Sequence, residues 1–441
     1  MVLSDDSTHD WPSWSEILNK MNLAKPIVLF AVMLVLIAGC RNISKQQIRL
    51  AVNSGIEGDA LKQAALDYEE QTGIHVNIAE FPYANLFEKE QLDFNAHTGA
   101  YDVIMLDDPW FPRFASKQFL TDLTPLIQKR GQNQPDSDFV PASIALCRHP
   151  YQTGDLFALP YVGNSQLFFY RKDLFEKHGL PEPNKWNDVL SAAKKIQEAE
   201  AGTGNHIYGY VMRAAQGNAA VADFMPIFWA FGGEMFDPNG NPTVNSPEGI
   251  AALKFMLELG KVSPPGYASF NADDVGAHLL QGTAAMSINW PAWIGPFADH
   301  ARSKVIGKMA FTVLPSGDKA GQAEIGNWLL AIPKDSKNVD AAMDFLIWAT
   351  GAEQMKLSAQ RGNPPTRTSV FKDADLIARY PAYPAQLRSL ETSRPRPRTP
   401  QWNEIENAFG IFLSKANSGE LNAEDAMNQA NLEIEKILQR Q

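Results

Sequence analysis

The stretch QIRLAVNSGIEGDALKQAALDYEEQTGIHVNIAEF, Gln47 to Phe81, decides the fold. Gln47–Ser54 alternates apolar and polar residues like a strand and runs into the turn-like NSGIEGD. Leu61, Ala64, Ala65 and Tyr68 then recur at helical spacing, and Gly73 supplies a C-terminal stop. IHVNIAEF, Ile74 to Phe81, reads as a second strand. Strand, helix and strand within about 35 residues form a βαβ unit, which implies a parallel sheet covered by helices.

The same pattern continues along the chain. YDVIMLDD (Tyr101–Asp108) reads as a buried strand ending in acids, FALPY (Phe157–Tyr161) as another, and QLFFYRKDLFEKHG (Gln166–Gly179) as a strand entering a helix. IYGYVMR (Ile207–Arg213), AAMSINW (Ala284–Trp290), MAFTVLP (Met309–Pro315) and NWLLAIP (Asn327–Pro333) have strand character. GIAALKFMLELG and NVDAAMDFLIWATG are helical, and no short-period repeat is visible. With 441 residues the chain exceeds what one hydrophobic core usually serves, so two α/β lobes are expected, later segments returning to the first.

Composition narrows the function. Hydrophobic residues at 45% and charged residues at 20% describe an ordinary globular protein. A formal charge of −11 argues against a general nucleic-acid binder, since no global basic field would attract phosphates. The two cysteines, Cys40 and Cys147, cannot build a Cys-based zinc site, and no H-E-x-x-H run occurs among the eight histidines. No metal and no cofactor is therefore expected. There is also no G-x-S-x-G elbow, no Walker loop and no G-x-G-x-x-G, so no enzyme is expected either.

Near the N-terminus, Ile27 to Ala38 is an unbroken run of twelve apolar residues. A membrane span needs roughly 20, whereas a secretory signal core needs about 7–15 after a positive charge. Lys25 precedes the run and LIAGC, Leu36 to Cys40, closes it. That ending resembles the lipobox of bacterial lipoproteins, which implies acylation of Cys40 and removal of residues 1–39 as leader and signal peptide. Residues 1–20 carry Asp5, Asp6, Asp10 and Glu16, unlike a basic signal start, whereas MNLAKP from Met21 fits one; translation is expected to begin at Met21.

In their order, the segments resemble the solute-binding proteins of bacterial ABC importers, in particular the carbohydrate-binding group that includes maltose- and trehalose-binding proteins. The resemblance is carried by LAVNSGIEGDALKQAALDYEEQTGIHVNI, YDVIMLDDPW, ALPYVGNSQLFFYRKDLFEKHGLPEP, FGGEMFDPNGNPTVNSPEGIAALKFM, GTAAMSINWPAW, GNWLLAIPKDSKNVDAAMDFLIWATGAEQM and RGNPPTRTSVF. It covers nearly the whole mature chain. It implies a two-lobed periplasmic-binding-protein fold (type II) that closes on ligand by a hinge. Lobe one is then expected to hold 46–158 and 312–360, and lobe two 159–311 and 361–441, with FALPY and MAFTVLP as crossovers. The implied role is to capture a carbohydrate outside the cytoplasm as a lipid-anchored monomer and deliver it to the permease transmembrane subunits. A membrane-anchored glycoside hydrolase or lectin-like surface protein is the alternative.

A sugar presents hydroxyls that donate and accept, and apolar C–H faces, so its site needs carboxylates, amides, Arg forks and flat aromatics. Asp107 and Asp108 close a buried strand and are candidates for sugar hydroxyls; helix capping is the competing role. As adjacent residues they point to opposite sides, so they do not flank one bond as a glycosidase pair would. The resemblance brings in Ser54 and Glu57 of the glycine-rich loop, where N-capping competes, a role Asp59 fits equally. It also brings in Trp290 of NWPAW as a stacking face, Gly326 and Trp328 of GNWLLAI, and Tyr161 at the end of a crossover strand. Trp293 and Trp348 read as core, while Trp110 and Trp229 are less decided. In SRPRPRTPQW, with Arg394, Arg396 and Arg398, Arg396 is the expected fork into the cleft, and Arg361 is a further candidate. This basic segment keeps an anionic glycoside open as ligand.

Overall fold

The computed structural model describes residues 47–132, 135–204 and 206–440. The apolar run and Cys40 lie outside them. Among the described residues no helix is long and apolar enough to cross a membrane.

The opening unit forms as its pattern demands. Strand β1 (Gln47–Asn53) pairs in parallel with β2 (His75–Phe81), and the helix Ile56–Thr72 between them buries Leu61, Ala64, Ala65 and Tyr68. Gly73 ends that helix in the left-handed region, φ 71°, its N–H donating to the Glu69 carbonyl. The helix starts after Gly55 with no side-chain cap, so the capping role open to Ser54, Glu57 and Asp59 is not taken. Gly58 explains how closely the helix approaches β1: a Cβ there would lie 1.6 Å from the Asn53 carbonyl oxygen.

The remaining strands are β3 (Val103–Asp107), β4 (Arg148–His149), β5 (Asp155–Leu156), β6 (Ala158–Val162), β7 (Leu167–Arg171), β8 (Met286–Asn289), β9 (Met309–Thr312), β10 (Glu324–Ile325), β11 (Trp328–Ala331) and β12 (Arg394–Pro395). A five-stranded sheet runs β2-β1-β3-β11-β6, and a three-stranded sheet runs β8-β7-β9. The first sheet is not wholly parallel: β11 returns to it antiparallel to both β3 and β6. The second is antiparallel throughout. β3, β6 and β7 are buried at every position, as strands covered on both faces must be.

One predicted strand is absent. IYGYVMR runs beside β8 through bonds such as Val211 N–H to the Met286 carbonyl (2.9 Å), without forming a regular ladder. On its other side Gly209 lies against the helix Trp186–Ala201, where a Cβ would meet the Ala193 backbone at 2.2 Å.

The chain passes between the two sheets twice, between β6 and β7 and between β9 and β11, and the crossings are tied to one another. The first is Gly163–Gln166, between β6 and β7. Gln166 N–H donates to the Glu324 carbonyl, and Gln166 Oε1 accepts from Glu324 N–H, both at 3.2 Å. β10, in the second crossing, pairs in parallel with β12, which lies between the helices Tyr383–Thr392 and Trp402–Asn417, through Glu324↔Arg394 and Ile325↔Pro395. One apolar core packs on the first sheet, another joins the helices Asn218–Ala230, Pro247–Gly260, Trp402–Asn417 and Ala423–Gln439, and a third lies with the helices of 352–392.

Candidate functional site

The strand register brings five chain segments to one edge. β1 ends at Asn53, and β3 ends at Asp107, which lies opposite Trp328; Trp328 in turn lies opposite Val162 at the end of β6. Beyond these rows, Asp108 N–H donates to the Asn327 carbonyl (3.1 Å) and Gly326 N–H to the Asn164 carbonyl (2.9 Å). From the other sheet, Asn289 at the end of β8 lies opposite Leu167, three residues past Asn164, and Trp290 follows it. Ligands of open α/β sheets bind beyond strand ends of this kind.

At this edge stands a buried ionic group. Arg396 is 2% exposed. Its Nη2 lies 2.9 Å from Asp108 Oδ1 and 3.4 Å from Asp107 Oδ1, its Nε 3.6 Å from Glu324 and its Nη1 3.6 Å from Glu406. Arg398 Nη1 donates to Asp108 Oδ2 at 2.8 Å. Asp107 also accepts from the Tyr83 hydroxyl (2.8 Å) and the Asp108 N–H (3.0 Å), and Glu406 from Asn218 (3.0 Å). Neither Asp107 nor Asp108 caps the helix Phe111–Ser116 with its side chain. Burial pushes Asp107 up to about 7 against the pull of Arg396, and pushes Glu324 up to about 8. For Arg396, burial opposes the charge, but the surrounding carboxylates outweigh it and raise its pKa.

The aromatics divide. The Trp290 ring is half-buried, with the Arg213 guanidinium 5.2 Å from its centroid. Arg213 is itself held by Asp223, its Nε donating at 2.6 Å. Gly326 lies beneath: a Cβ there would sit 2.7 Å from the Trp290 ring and 3.3 Å from Arg396 Nη2. Trp328 is 5% exposed and meets Tyr83 and Trp110 edge to face, both at 5.9 Å. Tyr161 is buried in the first core. Trp293 is likewise buried; Trp348 packs on Tyr68 at 5.1 Å and donates to Gln71, and Trp229 carries the Arg394 guanidinium at 5.0 Å.

Ser54 is half-buried, its N–H donating to Phe81, and Glu57 accepts from Asn164 Nδ2 at 3.4 Å, burial raising its pKa. Arg361 stands apart from this group, its Nη1 2.5 Å from Asp67 on the helix Ile56–Thr72.

Several residues at this edge escaped the sequence reading: Asn53, Asn164, Asn289, Glu324, Asn327 and Glu406. Asn53 Oδ1, Asn164 Oδ1, Asn289 Nδ2, both polar side-chain atoms of Asn327 and both carboxylate oxygens of Glu324 are buried without a hydrogen bond among the described residues. An unsatisfied buried polar group costs about 1–3 kcal/mol. Such a concentration marks a surface built for polar atoms from elsewhere. The signal available in sequence was Asn directly before each Trp, in Asn289–Trp290 and Asn327–Trp328.

A family model for bacterial extracellular solute-binding proteins matches residues 53–356. The chain belongs to that family. A mannitol-binding protein of Pseudomonas aeruginosa is 29% identical over 65% of this chain and 70% of its own length. A probable amino-acid ABC transporter periplasmic-binding protein of Sinorhizobium fredii is 28% identical over 79% of each chain. Among solved structures, an Agrobacterium radiobacter ABC transporter solute-binding protein in complex with ribitol superposes with TM-score 0.83 at 27% identity, covering 89% of this chain and 98% of that one. The maltose-bound MalE3 of T. maritima gives TM-score 0.81 at 29% identity, covering 89% and 99%. These relatives are binding proteins. As a member of an extracellular family, this solute-binding protein works outside the cytoplasm, and its architecture is the two-lobed one that its sequence resembles.

Proposed function

We propose that this chain is the capture component of an ABC importer for an uncharged carbohydrate or polyol, held between the lobes at the edge where Asp107, Asn327, Asn289 and Trp290 meet. The single observation that carries the reading is the row of buried amide groups with polar atoms left unpartnered among the described residues, beside a half-open indole face. Amides and carboxylates match hydroxyls, and Trp290 matches an apolar sugar face. Asp107, Asp108, Trp290, Arg396 and the three amides Asn53, Asn289 and Asn327 touch the ligand, with Ser54 and Glu57 at the loop beside them. Gly326, Tyr161 and Trp328 shape the floor, and Arg361 acts only through its pair with Asp67.

Charge favours an uncharged ligand. Four carboxylates, Asp107, Asp108, Glu324 and Glu406, share two guanidiniums, Arg396 and Arg398, and Arg213 is matched by Asp223. An anionic glycoside, or the carboxylate of an amino acid, would find no uncommitted guanidinium there. The bound ribitol and maltose of the related structures are uncharged.

The reading extends to the rest of the molecule. Residues 1–39 are removed, Cys40 is acylated, and the monomer, lobes 46–158 with 312–360 and 159–311 with 361–441, closes on ligand and docks on the permease. ATP is hydrolysed by a separate cytoplasmic subunit. Thermal shift of purified residues 42–441 against ribitol, D-mannitol, maltose and arabinooligosaccharides tests it. At a hundredfold excess over Kd a true ligand stabilises the fold by about 2.7 kcal/mol. No shift with any neutral sugar or polyol, or consumption of the sugar during incubation, sinks the reading.

A further inference from the structure

Trp290 follows β8 and keeps part of its surface open. Its backbone is well fixed: it is extended at φ −82° and ψ 142°, as the residue before a proline prefers, and its N–H donates to Asn289 Oδ1 at 2.8 Å. That fixes where the side chain starts and not how the ring is turned, because an aromatic side chain has several staggered wells to choose from. For a half-open ring the choice falls to the neighbours it does have. Gly326 lies at the benzo edge, and the Arg213 guanidinium lies over a face of the ring, 5.2 Å from its centroid.

Arg213 is the more firmly held of the two partners. It is 2% exposed, its backbone N–H donates to Asp223 Oδ2 at 2.8 Å, its Nε donates to Oδ1 at 2.6 Å, and its Nη2 lies 2.5 Å from Oδ1. Asp223 sits on the helix Asn218–Ala230, which is buried at every position from Ala220 onward. The chain on either side is tied down as well, Val211 N–H to the Met286 carbonyl at 2.9 Å and Ala215 N–H to the Phe270 carbonyl at 3.0 Å. A guanidinium whose edge is spent on a carboxylate still offers its flat face to an aromatic ring. One apolar core joins β7, β8 and the helix Asn218–Ala230, so Arg213, Asp223 and Trp290 are held around the same sheet. Their arrangement does not depend on where the other sheet lies.

We infer that Arg213 is a positioning residue for ligand binding: pinned by Asp223, its guanidinium covers one face of Trp290 and holds the indole so that the opposite face is the one offered to the ligand. The effect on affinity rests on the proposed carbohydrate site, whereas the placement of the ring does not.

Removing Arg213 alone would strand the buried Asp223 charge, so the variant of choice is the pair Arg213→Met with Asp223→Leu, which leaves no buried ion behind. Affinity is measured by calorimetry with whichever of ribitol, D-mannitol or maltose binds. The paired variant is expected to lose about three- to thirtyfold in affinity, the range of a partly desolvated cation–π contact. Where Trp290→Ala has already removed the ring, the same pair should change affinity by no more than about twofold, since a residue that acts through another has nothing left to act on. An equal loss in both backgrounds, or none with Trp290 present, overturns the inference. The ligand-free chain is judged by fluorine NMR after labelling with 5-fluorotryptophan, the Trp290 line being the one that Trp290→Phe removes. In the paired variant that line is expected to broaden, split or drift with temperature as the ring samples a second well. A single narrow line with the wild-type temperature coefficient overturns the inference even if its position has moved, because loss of a nearby charge shifts a line without freeing the ring. If none of the three probes binds, the carbohydrate reading fails separately and the spectra still judge Arg213. Should the paired variant not fold, Arg213→Lys takes its place: it keeps a charge beside Asp223 but has no flat fork to lie on the indole. The same loss of hold is expected, and a lysine variant with the wild-type Trp290 line overturns the inference.

Discussion

Two Asn-Trp dipeptides, Asn289–Trp290 and Asn327–Trp328, stand at the edges of the two sheets and meet opposite fates. Trp328 is walled in by Tyr83 and Trp110 and keeps only 5% of its surface. Trp290 rests on Gly326 and stays half-open, with a cation over one side of its ring. The same two residues thus build a fixed floor in one lobe and an available stacking face in the other. What separates them is the neighbourhood: bulky aromatics close over one indole, and the absence of a side chain at 326 leaves room for the other.

Breaking the buried member should cost the most. Trp328→Ala is expected to destabilise the fold by about 3–5 kcal/mol in denaturant unfolding, as large-to-small core changes do. A loss below ~1 kcal/mol would show that its ring is not packed as described. Trp290→Ala should instead spare most of the stability and weaken ligand binding by about 1–3 kcal/mol in calorimetry, in line with truncation of an aromatic anchor. Equal affinity would remove Trp290 from the site. Gly326→Ala joins the two, because its methyl would press on the Trp290 ring at 2.7 Å. We expect about 1–3 kcal/mol of strain, read as weaker binding with Trp290 present and much less change in a Trp290→Ala background. Glu404→Gln should matter least. It removes the 3.0 Å pair with Arg113, a bridge between the helices Trp402–Asn417 and Phe111–Ser116. With Glu404 half-exposed, the effect on affinity should stay within about 1 kcal/mol and shrink in salt; a tenfold change would show that the pair controls binding.

Stability as a function of pH sharpens the view of the first lobe. Glu90 is fully buried with neither oxygen hydrogen-bonded among the described residues, and burial with Asp93 nearby raises its pKa. Its contribution is present below the unfolded-state value, near 4.5, and is lost as pH rises toward the folded-state value. Glu90→Gln should therefore gain stability over the wild type as pH is raised from 5 to 9 in denaturant titrations. Parallel curves would refute a neutral Glu90.

How far the sequence could be read depended on what each residue needed to be recognised. The βαβ unit was legible because Leu61, Ala64, Ala65 and Tyr68 repeat at helical spacing between two alternating strands. Asp107, Asp108, Trp290 and Arg396 could be picked out because strand ends and Pro-flanked motifs mark them, and the structure brings them to one edge. Glu324 and Glu406 could not. One sits in the unpatterned AEIG and the other on a helix whose polar residues look solvated, and only their meeting at Arg396 buries them. IYGYVMR misled for a related reason: its apolar residues are buried by neighbouring elements, but it meets the β8 segment only through an isolated bridge, Tyr208 opposite Ala284, and single bonds rather than a ladder. Antiparallel insertion of β11 likewise depends on a return path that local pattern does not record.

The lashing of the two crossings to each other and to β12 governs how the molecule can move. Gln166 is bonded to Glu324, and Glu324 lies level with Arg394, so the two crossings and β12 are pinned at one height. A single tether would let one half swivel, and two loose ones would let it slide. Two tied to each other and to β12 leave little freedom except rotation about the line they define, as a door turns on a row of pins.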